Sequence, residues 1–277
     1  MLICFTSDLH GRPELYEELG ELLGAHRPRL LVLGGDLFPD GDMRDPVQTQ
    51  AAWVDGVFIP RVRAWRELVP GLAVACILGN HDWLHTQTVL GRYHDAGELL
   101  LLRRRPMSLN GLTLVGYSRT PPTPFWMKDF ERLDLPDDPL PDTGGAVWDA
   151  ELGTIRVAEP EECFAPSACM DAELRQVGPL ADPWIFVCHA PPFATNLDRL
   201  PDLAQPVGSH AVRDFIERRR PMVSLHGHIH ESPEVSGQFA DRLGDALCIN
   251  PGQGRRLHAV LLDSDDPGGT VRHSVIG

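Results

Sequence analysis

Lysine is almost missing from this chain: Lys128 is the single one among 277 residues, so the basic side chains are nearly all arginine. Acidic residues outnumber basic ones 39 to 25, for a formal net charge of −14. That balance argues against a broad duplex-DNA groove or an anionic membrane surface as partner. The arginines read as scattered, a bias of composition rather than a site. Their short cluster Arg218-Arg219-Arg220 falls at the end of an expected helix, where cations suit the helix dipole. Also missing is any apolar run near the ~18 residues that span a bilayer. Met1 leads straight into Leu2-Ile3-Cys4-Phe5, with neither a basic leader nor a small-residue cleavage site, and the expected compartment is the cytoplasm. Cys4, Cys76, Cys188 and Cys248 lie in apolar runs, where thiols pack as small hydrophobes. Cys163 and Cys169 are near enough in sequence to pair, but a cytoplasmic setting favours free thiols.

What is present is an alternation of short apolar runs with amphipathic stretches. Leu2 to Thr6, Leu30 to Leu33 and Ala73 to Leu78 are apolar throughout, as strands buried on both faces must be. Between them, Pro13 opens a helix with Leu15, Leu19, Leu22 and Leu23 on one face. Asp45 caps a second helix, lined by Val47, Ala51, Val54 and Phe58. Leu112 to Val115, Trp184 to Cys188 and Met222 to Leu225 repeat the strand pattern, with a Ser209-capped helix on Val212, Phe215 and Ile216 before the last of these. Ala246 to Ile249, His258 to Leu262 and Arg272 to Ile276 read as closing strands, with Asn250-Pro251-Gly252 a turn. The fold class is α/β, with a mainly parallel sheet covered on both faces. Residues 118–179 break the pattern. They are rich in Pro, Asp and Glu and read as an insertion within a single domain of 1–277, either overhanging an active site or forming a passive surface excursion.

The polar residues concentrate where the apolar runs stop. Asp8 and His10 follow the first, Asp36 the second, Asn80 with His81 the third, and His189 the run from Trp184. The run Met222–Leu225 delivers His226-Gly227-His228-Ile229-His230, three of the chain's twelve histidines at alternate positions. Taken alone, that stretch fits either a histidine-rich loop or a three-histidine zinc site on one strand face. A lone Asp after a strand is ordinarily a turn or cap residue. Five such ends in one open α/β sheet should converge outside the carboxyl ends of the strands. Carboxylates, an amide and imidazoles suit manganese, iron or zinc rather than a thiolate site.

The order Asp8-x-His10, Gly35-Asp36, Gly79-Asn80-His81-Asp82, His189, Gly227-His228-x-His230 resembles the calcineurin-like metallophosphoesterase superfamily, and the match runs over most of the chain. The resemblance implies two packed mixed sheets flanked by helices in four layers. It also implies two divalent metal ions, one held by Asp8, His10 and His230, the other by Asn80, His189 and His228, with Asp36 bridging both. In that pattern His228 and His230 serve different metals, and His226 falls outside, as a structural residue or one that supports the ligands. Two cations about 3.5–4 Å apart clamp the oxygens of an in-line displacement and generate a bridging hydroxide that attacks phosphorus. His81 is left as the group that stabilises the phosphoryl charge and protonates the leaving oxygen. Asp82 is expected to hold that imidazole in its tautomer.

The expected function is a dinuclear-metal phosphoester hydrolase that leans to phosphodiesters. Phosphatase relatives follow their Gly-Asp with an Asp-Arg pair and carry Gly-Asn-His-Glu, unlike this chain. Repair nucleases of the superfamily add a DNA-binding module, and none is evident here. A small phosphoester, nucleotides included, is the expected substrate, and extended nucleic-acid binding is not. A phosphomonoesterase or nuclease of the same superfamily is the alternative, and a non-catalytic metal-binding scaffold is the alternative of another class. His85 stands near the site, His26, His94, His210, His258 and His273 read as surface or loop residues, and Arg119, Lys128 and Arg132 are not assigned.

Overall fold

The computed structural model describes residues 1–40 and 44–275. In chain order, β1 (Leu2–Thr6), α1 (Pro13–His26), β2 (Leu30–Gly34), α2 (Pro46–Trp53), α3 (Ile59–Leu68), β3 (Ala73–Ile77), α4 (Leu84–Asp95) and β4 (Leu100–Leu101) build the first half. The hairpin strands β5 (Met107–Leu109) and β6 (Leu112–Tyr117) follow. Residues 118–183 then hold a small hairpin, β7 (Gly145–Asp149) with β8 (Thr154–Ala158), and the short helices α5 (Pro160–Cys163) and α6 (Met170–Arg175). The sequence closes with β9 (Trp184–Cys188), α7 (His210–Arg219), β10 (Val223–Leu225), β11 (Ala240–Leu243), β12 (Ala246–Ile249), β13 (Val260–Asp263) and β14 (Arg272–His273).

Among the described residues the strands form two six-stranded mixed sheets, ordered β14-β13-β1-β2-β3-β4 and β11-β12-β10-β9-β6-β5, besides the β7–β8 hairpin. β1 to β4 run parallel, as do β12, β10, β9 and β6, with antiparallel strands at the margins. The alternation of side chains along each strand explains the layers. Ile3 and Phe5 of β1 face the other sheet, meeting a core that includes Leu114, Ile185, Val187, Leu225 and Ile249, while Cys4 joins the core under α1 to α4. On the second sheet, Phe186, Cys188 and Cys248 pack under α6 and α7. Both faces of each central strand are thus covered, which is why the strands are apolar throughout.

Local chemistry sets the helix ends. Asp45 accepts from Gln48 N and Ser209 Oγ from Val212 N, each capping a helix at its start. The expected second helix differs in its interior: residues Val54–Phe58 widen into a π turn between α2 and α3. Pro60 lacks the N–H that a regular α turn needs there, and the wider turn accommodates it. The expected 258–262 strand begins at Val260 instead, and of the 272–276 strand only Arg272–His273 pairs, residue 276 lying outside the described residues. All six cysteines are free and buried. Among the described residues no helix is long and apolar enough to cross a membrane.

Candidate metal centre

Because β1, β2 and β3 are parallel neighbours, and β9 and β10 likewise, the residues after their carboxyl ends emerge on one side of the sandwich. Two groups of potential ligand atoms result, Asp8 with His10 and His230, and Asp36 with His189 and His228, each within 4.8 Å of one another. Asp36 Oδ2 stands 3.2 Å from His189 Nε2 and 3.9 Å from His10 Nε2, so it faces both groups. Its Oδ1 accepts from the His81 N–H at 2.8 Å, which fixes the carboxylate's rotation. Asp8 is fixed similarly, both oxygens taking the His228 N–H at 3.0 and 3.1 Å, with Oδ1 3.2 Å from His230 Nε2.

The backbone bends sharply to do this. Asp8, His10, Asp36 and His228 all have positive φ, between 45° and 70°. Each such non-glycine residue costs about 1–3 kcal/mol, and the clustering of four at one place marks a site held against that cost by its surroundings. Gly79 and Gly227 leave the space. A Cβ on Gly79 would overlap Asp36 Oδ1, and one on Gly227 would overlap Ser7 Oγ and Asp8 Oδ2.

The donor set suits cations. His189 Nδ1 donates to Gly34 O at 2.8 Å, leaving the Nε2 lone pair toward the carboxylates, and among the described residues that Nε2 has no hydrogen-bond partner. Among the same residues neither side-chain atom of buried Asn80 has one. His10 Nε2 and His230 Nε2 face each other at 3.3 Å, an approach that requires a shared proton or cation. Burial opposes ionisation of Asp8, but His230 and His189 outweigh it and bring its carboxyl down to about 2. Burial likewise disfavours a charged His189, yet Asp36 and Asp8 push it up to about 9. Burial brings His228 down to about 3, so this imidazole stays neutral, the form that binds metal. Buried unpartnered ligand atoms beside carboxylates that attract positive charge fit divalent cations.

His81 borders the same space, and its pairing corrects one expectation. Its Nδ1 lies 3.1 Å from Asp40 Oδ1, and its ring packs 4.7 Å from that of Phe125. Asp82 does not hold the imidazole. It is fully buried and accepts from Gly79 N at 2.9 Å and Phe38 N at 3.3 Å, so it braces the loop that carries Asn80. Burial and the Asp36 charge raise its carboxyl to about 7. His10, Asp40 and His81 make a third grouping of ligand-type atoms.

His226 is buried away from the centre, with Nδ1 donating to Ala190 O and Nε2 accepting from Ser224 Oγ. His85 packs on Trp148. His258 lies in a loop, as one of the two expectations had it, but is buried. In the 118–179 segment Lys128 pairs with Glu131 at 2.8 Å, Arg119 donates to Asp129 O, and Arg132 donates to Glu131 O at 2.5 Å. The same segment supplies Pro121 to Phe125, which with Leu200, Leu203 and Val207 line a cavity of about 410 Å³ over Asp36, His81, His228 and His230.

Some supporting residues escape sequence reasoning. Asp40 is one. Asn250, read as part of a turn, donates to the backbone of Leu197 and Ile229 and braces the histidine stretch. Gln253 donates to Ser7 O beside Asp8. Gln50 ties His81 O to Trp83 N and Thr86. Only their polar character inside turn or helix signals marks them.

A model of the calcineurin-like phosphoesterase family matches residues 1–232. Among solved structures, the protein TT1561 of Thermus thermophilus is similar over 100% of this chain and 99% of its own, at 17% identity and TM-score 0.60. A dimetal phosphatase from Danio rerio is similar over 95% and 93%, at 11% identity and TM-score 0.52. No curated protein matches.

Proposed function

The chain belongs to the calcineurin-like phosphoesterase family and is a metal-dependent phosphoester hydrolase, and we propose that it acts on phosphodiesters with a single negative charge and an apolar ester group. Residues 1–277 serve this as one domain, with 118–179 inserted in it. Asp8, His10 and His230 would hold one divalent ion, Asn80, His189 and His228 the other, and Asp36 would contribute to both. Two such ions supply Lewis acidity toward the phosphoryl oxygens and lower the pKa of bound water. The chain's own residues do the rest. Asp40 orients His81 through Nδ1, leaving Nε2 to hold the proton that the leaving oxygen receives. Asp82 holds the Asn80 loop in register.

The preference for diesters rests on one observation: among the described residues, no lysine or arginine lines the cavity over the centre. A monoester dianion brings a second charge that these walls leave unmatched, and Glu231 at the cavity adds a charge that opposes it. Apolar walls from Phe125, Leu200, Leu203 and Val207 suit an uncharged organic group. The test is to load the protein with manganese, measure bound metal, and compare bis(4-nitrophenyl) phosphate with 4-nitrophenyl phosphate. We expect about two metal ions per chain and at least tenfold higher kcat/KM on the diester. The reverse order would sink the diester reading, and inactivity on both with metal bound would leave a binding scaffold.

A further inference from the structure

A second cavity, of about 350 Å³, is lined by Arg103, Arg104, Arg105 and Arg119 against one acid, Glu173. Such a concentration of positive charge is out of keeping with a chain of net charge −14. None of its lining residues belongs to the cavity over the metal centre. The Arg103–Arg105 run departs from the expectation that the arginines are scattered, and its position follows from the fold. Beyond β4 the chain continues between the two sheets, Leu102 N donating to Cys76 O of one and Gly116 N of the other donating to Arg103 O. Gly116 permits this approach, since a Cβ there would lie 2.5 Å from Leu102 Cβ. The three arginines therefore leave the sandwich beside the end of β6, next to Arg119.

Glu173 does not satisfy them. Its Oε2 already accepts from the Tyr117 hydroxyl at 3.1 Å and stands 4.0 Å from both Arg104 Nη1 and Arg119 Nε, beyond hydrogen-bond reach. Among the described residues Arg104 donates once, to Glu173 O, and Arg119 once, to Asp129 O. The side chains of Arg103 and Arg105 make no hydrogen bond or ion pair among the described residues. The Arg119 side chain is only 20% exposed, and burial together with the neighbouring Arg132 brings its guanidinium down to about 10. Ser118 Oγ accepts from Leu78 N, so its own proton is available to the cavity.

We propose that this arginine cleft binds a small dianionic oxyanion, the phosphate group of a phosphorylated small molecule. Guanidinium forks match tetrahedral oxyanions in pairs of hydrogen bonds. The cavity's size suits a phosphate with a compact substituent. A nucleic-acid strand would need a basic groove continuing past the cavity, and the surrounding acidic balance works against one.

The test is calorimetric titration of methylphosphonate, which cannot be hydrolysed, into the manganese-loaded protein and its Arg103→Gln/Arg105→Gln variant. Arg103 and Arg105 are exposed, so the variant should keep its thermal midpoint and metal content. We expect two binding events in the unaltered protein. The salt-sensitive one should weaken at least tenfold in the variant, while the other, at the metals, remains. Identical titrations for the two proteins, or a single event that disappears when the metals are chelated, would overturn the assignment.

Discussion

His81 Nδ1 meets Asp40 Oδ1 at 3.1 Å, while Asp82, next to His81 in sequence, points its carboxylate into the loop backbone instead. The two acids adjoining His81 thus have separable roles. Asp40→Asn should lower kcat on an alkyl phosphodiester by roughly tenfold or more, a part of the roughly 10²- to 10⁴-fold that a general acid contributes, since Asp40 acts through His81. The loss should be much smaller on a nitrophenyl ester, whose leaving group needs little protonation, and metal content should stay level. Equal losses on both substrates would remove Asp40 from this role. Asp82→Asn should instead lower the thermal midpoint and loosen metal binding.

Asp36 faces both groups of ligand atoms, so Asp36→Asn should lose metal and activity together. His81→Ala should lose most turnover of an alkyl diester with metal content near that of the unaltered protein. Metal analysis beside a single-substrate assay separates the two, and retention of two ions by Asp36→Asn would reject a shared ligand.

Gly227→Ala is expected to act on the centre without changing its chemistry. The added Cβ would collide with Ser7 Oγ and Asp8 Oδ2. Asp8 must then shift by a few tenths of an ångström or more, and manganese affinity should fall at least tenfold. An unchanged affinity would show that the loop relaxes freely.

His226→Leu should destabilise the fold rather than alter chemistry. It would leave Ser224 Oγ and Ala190 O buried without their partner, at about 1–3 kcal/mol for each orphaned group. Urea unfolding in excess chelator measures this apart from metal binding. A midpoint matching the unaltered protein would overturn the structural role.

Acid should weaken the fold through His258 and His273, whose rings meet at 5.1 Å and both donate to Pro251 O. Burial holds each below the ordinary histidine value of 6.5. The unfolded chain therefore binds more protons near pH 6, and stability contributed by the neutral rings is present above pH 6.5 and lost as pH falls through it. In excess chelator, the difference in unfolding free energy between the unaltered protein and His258→Asn should narrow from pH 7.5 to 5.5, and a constant difference would remove His258 from this role.

Much of the fold was legible because apolar runs and their stops are local. A run such as Leu30 to Leu33 records burial on both faces, and the polar residue that ends it records where the strand leaves the sheet. The helix starts at Asp45 and Ser209 were equally local, since a cap acts within three residues. The π turn before Pro60 was not legible, because its neighbours carry ordinary helix periodicity.

Residue order alone marks the stretch His226 to His230 as polar, alternate and placed after a buried strand. Packing is what turns His230 to Asp8, His228 to His189, and His226 onto backbone carbonyls. The same holds for Asp40 over Asp82, and for the gathering of Arg103, Arg104, Arg105 and Arg119 around one cavity. Local pattern reports which side chains are buried and with what period. Which polar group meets which depends on left-handed bends at Asp8, His10, Asp36 and His228 and on the approach of two sheets, and those are settled by packing across the whole chain.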